Sequence, residues 1–109
     1  MQEALRFQNP VYMSTTIALS RDAKIGNTNI RAGDSIRVNL YGLHYNSKEW
    51  QRPTEFLPNR FNPDDPLFLT PDGNKRHSHS FAPFNGGKRV CFGKTFAEIV
   101  VKMSALYMT

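Results

Sequence analysis

The chain has 109 residues, 39% of them hydrophobic, which is enough for one small domain and not the composition of a disordered segment. Fourteen Lys and Arg against nine Asp and Glu give a formal charge of +5, a balance that favours acidic partners. The basic residues are scattered and carry no zinc-finger or RNA-recognition signature, so no nucleic-acid partner is expected; the single Cys excludes an internal disulfide, and no apolar run reaches membrane-spanning length.

Residues 1–7 read as the end of a helix, with Asn9-Pro10 as its stop. From Val11 to Leu40 the chain turns rich in Val, Ile and Thr, with turn signals at Gly26-Asn27 and Ala32-Gly33-Asp34. Short strands are expected over roughly 11–19, 23–31 and 35–40, the last resting on the alternation in SIRVNLY. Five of the seven prolines fall between Tyr45 and Ser80, together with Trp50, Phe56, Phe61 and Phe68. That many aromatics need burial, so this stretch reads as a packed meander and not a linker. Phe96, Ile99, Val100, Met103, Leu106 and Tyr107 recur at helical spacing, which predicts a helix beginning between Gly93 and Thr95. On its other face Glu98 and Lys102 are spaced to pair.

The one cysteine, Cys91, lies just before that helix in FNGGKRVCFGK. A helix N-terminus and neighbouring cations, here Lys88 and Arg89, favour an ionised thiol. Glycines at 86, 87 and 93 allow positive φ and close approach to something flat or bulky, and free N–H groups can donate to sulfur. The residues alone thus describe a ligand or nucleophile thiolate in a preformed loop. A phosphate-binding loop is the competing reading, because Gly93-Lys94-Thr95 ends a glycine-rich stretch. Its spacing fails: Lys88 stands where the first glycine belongs, and Gly87 is one residue too far. His77 and His79 without further spaced ligands read as a solvated loop and not as a metal site.

Phe84, Gly87, Arg89, Cys91 and Gly93 meet every fixed position of F-x-x-G-x-R-x-C-x-G. The pattern resembles the haem-ligand loop of the cytochrome P-450 superfamily, the haem-thiolate monooxygenases. Two further signatures follow the same order. Glu3 and Arg6 form E-x-x-R, and Trp50, Pro53, Phe56, Pro58, Arg60 and Phe61 reproduce W-x-x-P-x-x-F-x-P-x-R-F. One departure is Asn59, where the family's meander carries an acid. A second is the lack of a basic residue in VYMSTTIALS, where the family commonly places an Arg for the second propionate.

The resemblance implies an α+β arrangement within a mainly helical family. It comprises a helix end, a small mixed β-sheet, an aromatic and Pro-rich meander, the Cys loop and a proximal-side helix. The whole of residues 1–109 would be one partial domain, the C-terminal haem-binding portion, with both ends cut and Met1 either an internal methionine or a gene-model start. Cys91 is then the ligand of iron in haem b (iron protoporphyrin IX). Phe84 packs near the sulfur, Arg89 pairs with a haem propionate, and Gly87 and Gly93 shape the loop. Glu3, Arg6 and Arg60 form a buried charge cluster, and Val11, Tyr12 and Met13 stand along the substrate cavity wall. The parent is expected to be a monooxygenase using O2 and a small apolar organic substrate, and this chain alone is expected to be incompetent. Isomerase or dehydratase chemistry on the same haem, or a truncated product without haem, are the other readings. A flavoprotein reductase or ferredoxin is expected on the basic proximal face near Lys88 and Lys94. Location would be the cytosolic face of the endoplasmic reticulum, through an N-terminal anchor outside this chain, for a microsomal member, or the cytoplasm for a bacterial one.

Overall fold

The computed structural model describes all 109 residues. Helix α1 spans Gln2–Phe7, with Glu3 in its first turn and Arg6 in its last, each at the helix end its charge favours. It stops at Gln8, ahead of Asn9-Pro10, as the sequence predicts.

Strand structure is sparser than the sequence suggests. The strands β1 (Ile17–Ala18) and β4 (Ser35–Ile36) pair antiparallel, with Ile17 opposite Ile36. Between them β2 (Ala23–Ile25) and β3 (Thr28–Ile30) form a hairpin. Gly26 turns it with φ +57, the left-handed conformation a two-residue hairpin loop asks of its first position. The expected small sheet is therefore two antiparallel pairs, and the single segment expected over 23–31 is a hairpin. Residues 11–16 carry only one bridge, Met13 to Asn39.

The expected strand 35–40 ends early, because Asn39 starts a helix. Its side chain accepts from the Gly42 N–H at 2.9 Å and caps α2, Leu40–His44. The carbonyl of Tyr12 accepts from the free N–H groups of Leu40 and Tyr41 at 2.9 and 3.2 Å, so the first turn of α2 is anchored to the strand region.

The meander is folded by two 3-10 turns, Pro58–Phe61 and Pro66–Phe68, each opening on a proline where the missing N–H costs nothing. Trp50 is fully buried and packs with Phe61 at 5.7 Å and Phe81 at 6.2 Å between ring centroids. Arg76 lies 4.3 Å from the Trp50 centroid, and its guanidinium donates to the Leu67 and Arg60 carbonyls. Phe61 and Phe68 are half-buried, but Phe56 is 52% exposed and meets only the edge of Phe7. Leu40 and Trp50 are the only hydrophobic residues fully inside; the other eight buried residues are polar or charged. The interior is thus held by hydrogen bonds and ion pairs as much as by apolar contact.

Helix α3 runs over Lys94–Met108 with Gly93 at its N-cap. Ala97 and Glu98 are half-buried, whereas Phe96, Ile99, Leu106 and Tyr107 stand exposed. The expected Glu98–Lys102 pair does not form. Glu98 lies instead in a crevice beneath α1 with Gln2, Leu5 and Lys94.

Candidate functional site

The Cys91 loop is closed by its own backbone. Cys91 N–H donates to the Phe84 carbonyl at 2.9 Å, and Lys94 N–H donates to the Cys91 carbonyl at 3.2 Å, so the cysteine is fixed one turn ahead of α3. A 3-10 turn, Gly87–Arg89, fills the middle. Gly87 has φ +62 and open space where a Cβ would go, so its requirement is conformational. Gly86 is extended and Gly93 has φ −81, so neither needs to be glycine for positive φ; Asn85, with φ +62, takes that role instead. A Cβ on Gly93 would sit 3.8 Å from the Cys91 sulfur, an ordinary contact, so glycine keeps that flank of the sulfur clear. The expected N–H donors to sulfur are not formed. Cys91 is exposed, and its neighbours Val90, Phe92 and Phe96 turn apolar surface outward beside it.

Arg89 is one wall of a cleft of about 340 Å³. Asn85, Gly86 and Gly87 line it from the same loop, and Ser14, Thr15, Ile17, Val38, Leu40 and His79 line it from elsewhere in the chain. Three ion pairs occur in the chain, Glu3–Arg6, Glu3–Arg60 and Arg52–Glu55, and Arg89 belongs to none. A guanidinium without an acidic partner in a mostly apolar cleft, on the loop that also carries an exposed thiol among apolar neighbours, fits a flat apolar ligand with acidic edges. Haem has those properties, and the residues present fit it.

Behind the loop lies the charge cluster. The Glu3 carboxylate takes both Arg6 Nε and Nη2 at 2.8 Å, Arg60 Nε at 2.9 Å and the Leu57 N–H at 2.9 Å. All three side chains are 0–2% exposed. The remaining guanidinium donors go to carbonyls: Arg6 to His44, Pro53 and Glu55, Arg60 to Gln51, Arg52 and Glu55. Burial alone would raise the Glu3 carboxyl, but the Arg6 hydrogen bond, the Leu57 N–H and the two guanidinium charges together hold it below the usual range. The structure thus brings Glu3, Arg6 and Arg60 together under the meander. It does not place Val11, Tyr12 and Met13 in the cleft. They are exposed and do not line it, with Tyr12 edge-on to Tyr41.

Two side chains central to this arrangement belong to none of the sequence motifs. Arg76 joins the Trp50 ring to the Arg60 carbonyl. His44 is fully buried at the end of α2, its carbonyl taken by Arg6 and its ring against Phe81 at 5.5 Å. Its position six residues before Trp50, ending a capped helix, was the available signal.

A family model for Cytochrome P450 matches residues 1–106. The chain belongs to the cytochrome P450 family. It is 39% identical over 108 residues to Cytochrome P450 4A10 of Mus musculus, covering 94% of this chain and 18% of that protein. It is 39% identical over 111 residues to Taurochenodeoxycholic 6 alpha-hydroxylase of Sus scrofa, covering 97% and 20%. The fold matches retinoic acid bound cyanobacterial CYP120A1 with a TM-score of 0.85 at 27% identity, over 98% of this chain and 23% of the other. The chain therefore spans about a fifth of the length of these relatives.

Proposed function

We propose that this chain is the thiolate-bearing portion of a haem monooxygenase, with Cys91 as the ligand of haem b iron. The observation that carries the reading is the exposed Cys91 thiol, fixed ahead of α3 on the same loop as Arg89, which lines a cleft and has no acidic partner. Bound haem supplies the activation of dioxygen, one atom going to an organic substrate and the other to water.

The chain's own residues hold and orient. Arg89 faces a propionate, since a guanidinium fork suits a carboxylate. Phe84 lies in the crevice behind the loop with Val90 and Lys94, and its carbonyl fixes the Cys91 amide. Gly87 gives the turn that presents Arg89, and Gly93 leaves the sulfur unobstructed. Glu3, Arg6 and Arg60 support the meander and take no part in the chemistry. Val11, Tyr12 and Met13 offer exposed apolar surface to a substrate wall completed by the rest of the protein. One relative is named a hydroxylase, which agrees with oxygen insertion. Electrons enter from a flavoprotein or ferredoxin at the basic face around Lys88.

The test uses the whole protein that contains this chain, reconstituted with haem, reduced and exposed to carbon monoxide. A thiolate-type red shift of the Soret band, lost in Cys91→Ala, is expected. Haem binding with the same red shift in Cys91→Ala would overturn the assignment, as would failure of the wild type to take up haem.

A further inference from the structure

His44 is the one buried ionisable residue that the proposed chemistry leaves without a task. Its Nε2 accepts from the Ala82 backbone N–H at 3.1 Å. An amide N–H can only donate, so Nε2 is unprotonated and the proton of the neutral ring sits on Nδ1. Nδ1 is buried and has no partner. A protonated ring would set Nε2–H against the Ala82 N–H, and the Arg6 charge is already close, bound to the His44 carbonyl at 2.9 Å.

The hydrogen-bond map shows what this contact connects. The charge cluster reaches carbonyls of residues 44, 51, 52, 53 and 55 and the N–H of residue 57, but nothing in the Cys91 loop. Within residues 81–93 the bonds are local: Asn85 N–H to the Ala82 carbonyl at 3.1 Å, and Cys91 N–H to the Phe84 carbonyl. Ala82 N–H to His44 is the single hydrogen bond between residues 81–93 and residues 1–76. Among aromatic contacts the link is Phe81, packed on Trp50, Phe61 and His44. Apolar burial is non-directional and sets register loosely, whereas a hydrogen bond with its narrow distance and angle range fixes it.

We propose that His44 is a positioning residue for the thiolate, its Nε2 lone pair holding Ala82 so that the Cys91 loop sits in one place relative to the buried Glu3–Arg6–Arg60 cluster. The inference rests on the reading of Cys91 as the iron ligand. Burial, with the Arg6 charge beside it, lowers the imidazole from 6.5 to about 4, in keeping with a permanent neutral acceptor.

The test compares His44→Gln with His44→Phe in the haem-loaded whole protein. Gln keeps an acceptor near the place of Nε2; Phe keeps ring volume and removes it. The share of the reduced carbon monoxide complex that lacks the thiolate-type red shift is expected to rise several-fold in His44→Phe and to stay near wild type in His44→Gln. Exchange of the Ala82 amide with solvent is expected to speed up in the Phe variant alone. Equal spectra in wild type and His44→Phe would overturn the proposal, and so would equal losses in both variants, which mark a packing role. Should the Phe variant not fold, nitrogen NMR of wild-type His44 decides: the Nδ1–H tautomer is expected, and Nε2–H refutes it. A wild type without the thiolate band would instead sink the Cys91 reading and this inference with it.

Discussion

At the residue scale, the energetics centre on buried charge. Glu3 is fully paired, so removing one member leaves the others charged, desolvated and unmatched, a loss of about 3–5 kcal/mol. Arg60→Leu is expected to show it most clearly, because four of its bonds go to Glu3 and three meander carbonyls. Arg60→Lys is expected to recover little, since an ammonium cannot span those acceptors. Midpoints of urea unfolding check the ranking. The same cluster sets the response to acid. The folded-state value of Glu3 lies below its ordinary 4.5, so the stability it contributes is present above that value and is lost as pH falls through the folded one. His44 acts in the same direction at higher pH. Its folded value of about 4 is below the ordinary 6.5, so the folded state refuses a proton that the unfolded chain takes between those values. Wild type is therefore expected to lose stability from pH 6.5 downward, by up to about tenfold in the folding equilibrium per pH unit. His44→Gln is expected to flatten that slope; an unchanged profile would show that His44 is not the titrating group.

At the element scale, legibility followed the reach of the signal. Both end helices could be read because their cues are local: good formers stopped by Asn9-Pro10 in α1, and a 3.6-residue apolar rhythm in α3. The loop was legible for the same reason, since its motif is ten contiguous residues. Helix α2 was hidden, because Ser35 to Tyr41 alternates like a strand and only Asn39 announces the change. His44 and Arg76 were hidden more deeply, as their partners lie 38 and 16 residues away and no spacing rule addresses them. The glycines were partly misread, since glycine in a loop does not say which one carries positive φ. That distinction is measurable. Gly87→Ala is expected to cost about 1–2 kcal/mol, the penalty for an L-residue in the left-handed region. Gly86→Ala is expected to be mild, because its backbone is extended and a Cβ there meets only His79 at 3.8 Å. Haem retention on heating compares the two, and equal losses would mean that close approach, not φ, selects both glycines.

At the scale of the whole molecule, an uncovered helix face and a net positive charge dominate. Phe96, Leu106 and Tyr107 are 75–92% exposed, and Phe92 beside the sulfur is fully open. A thiol on such a surface has no second wall to exclude water. The chain alone is therefore expected to bind haem weakly and to give little thiolate-type carbon monoxide complex, in contrast to the whole protein. The charge acts over a longer range. Lys88 and Lys94 are exposed on the loop and the first turn of α3, with Arg89 between them on the cleft side. If the proposed donor docks on this face, like-signed charges grouped around the Cys91 loop would raise the local concentration of an acidic donor and orient its approach. Such steering is screened over about 10 Å at 0.1 M salt. The rate of reduction of the whole protein by its donor is thus expected to fall as ionic strength rises. Lys88→Glu should lower that rate several-fold at low salt and little at high salt, with the carbon monoxide spectrum unchanged because Lys88 is exposed and does not line the cleft. Reduction indifferent both to salt and to Lys88→Glu would place the donor on another face.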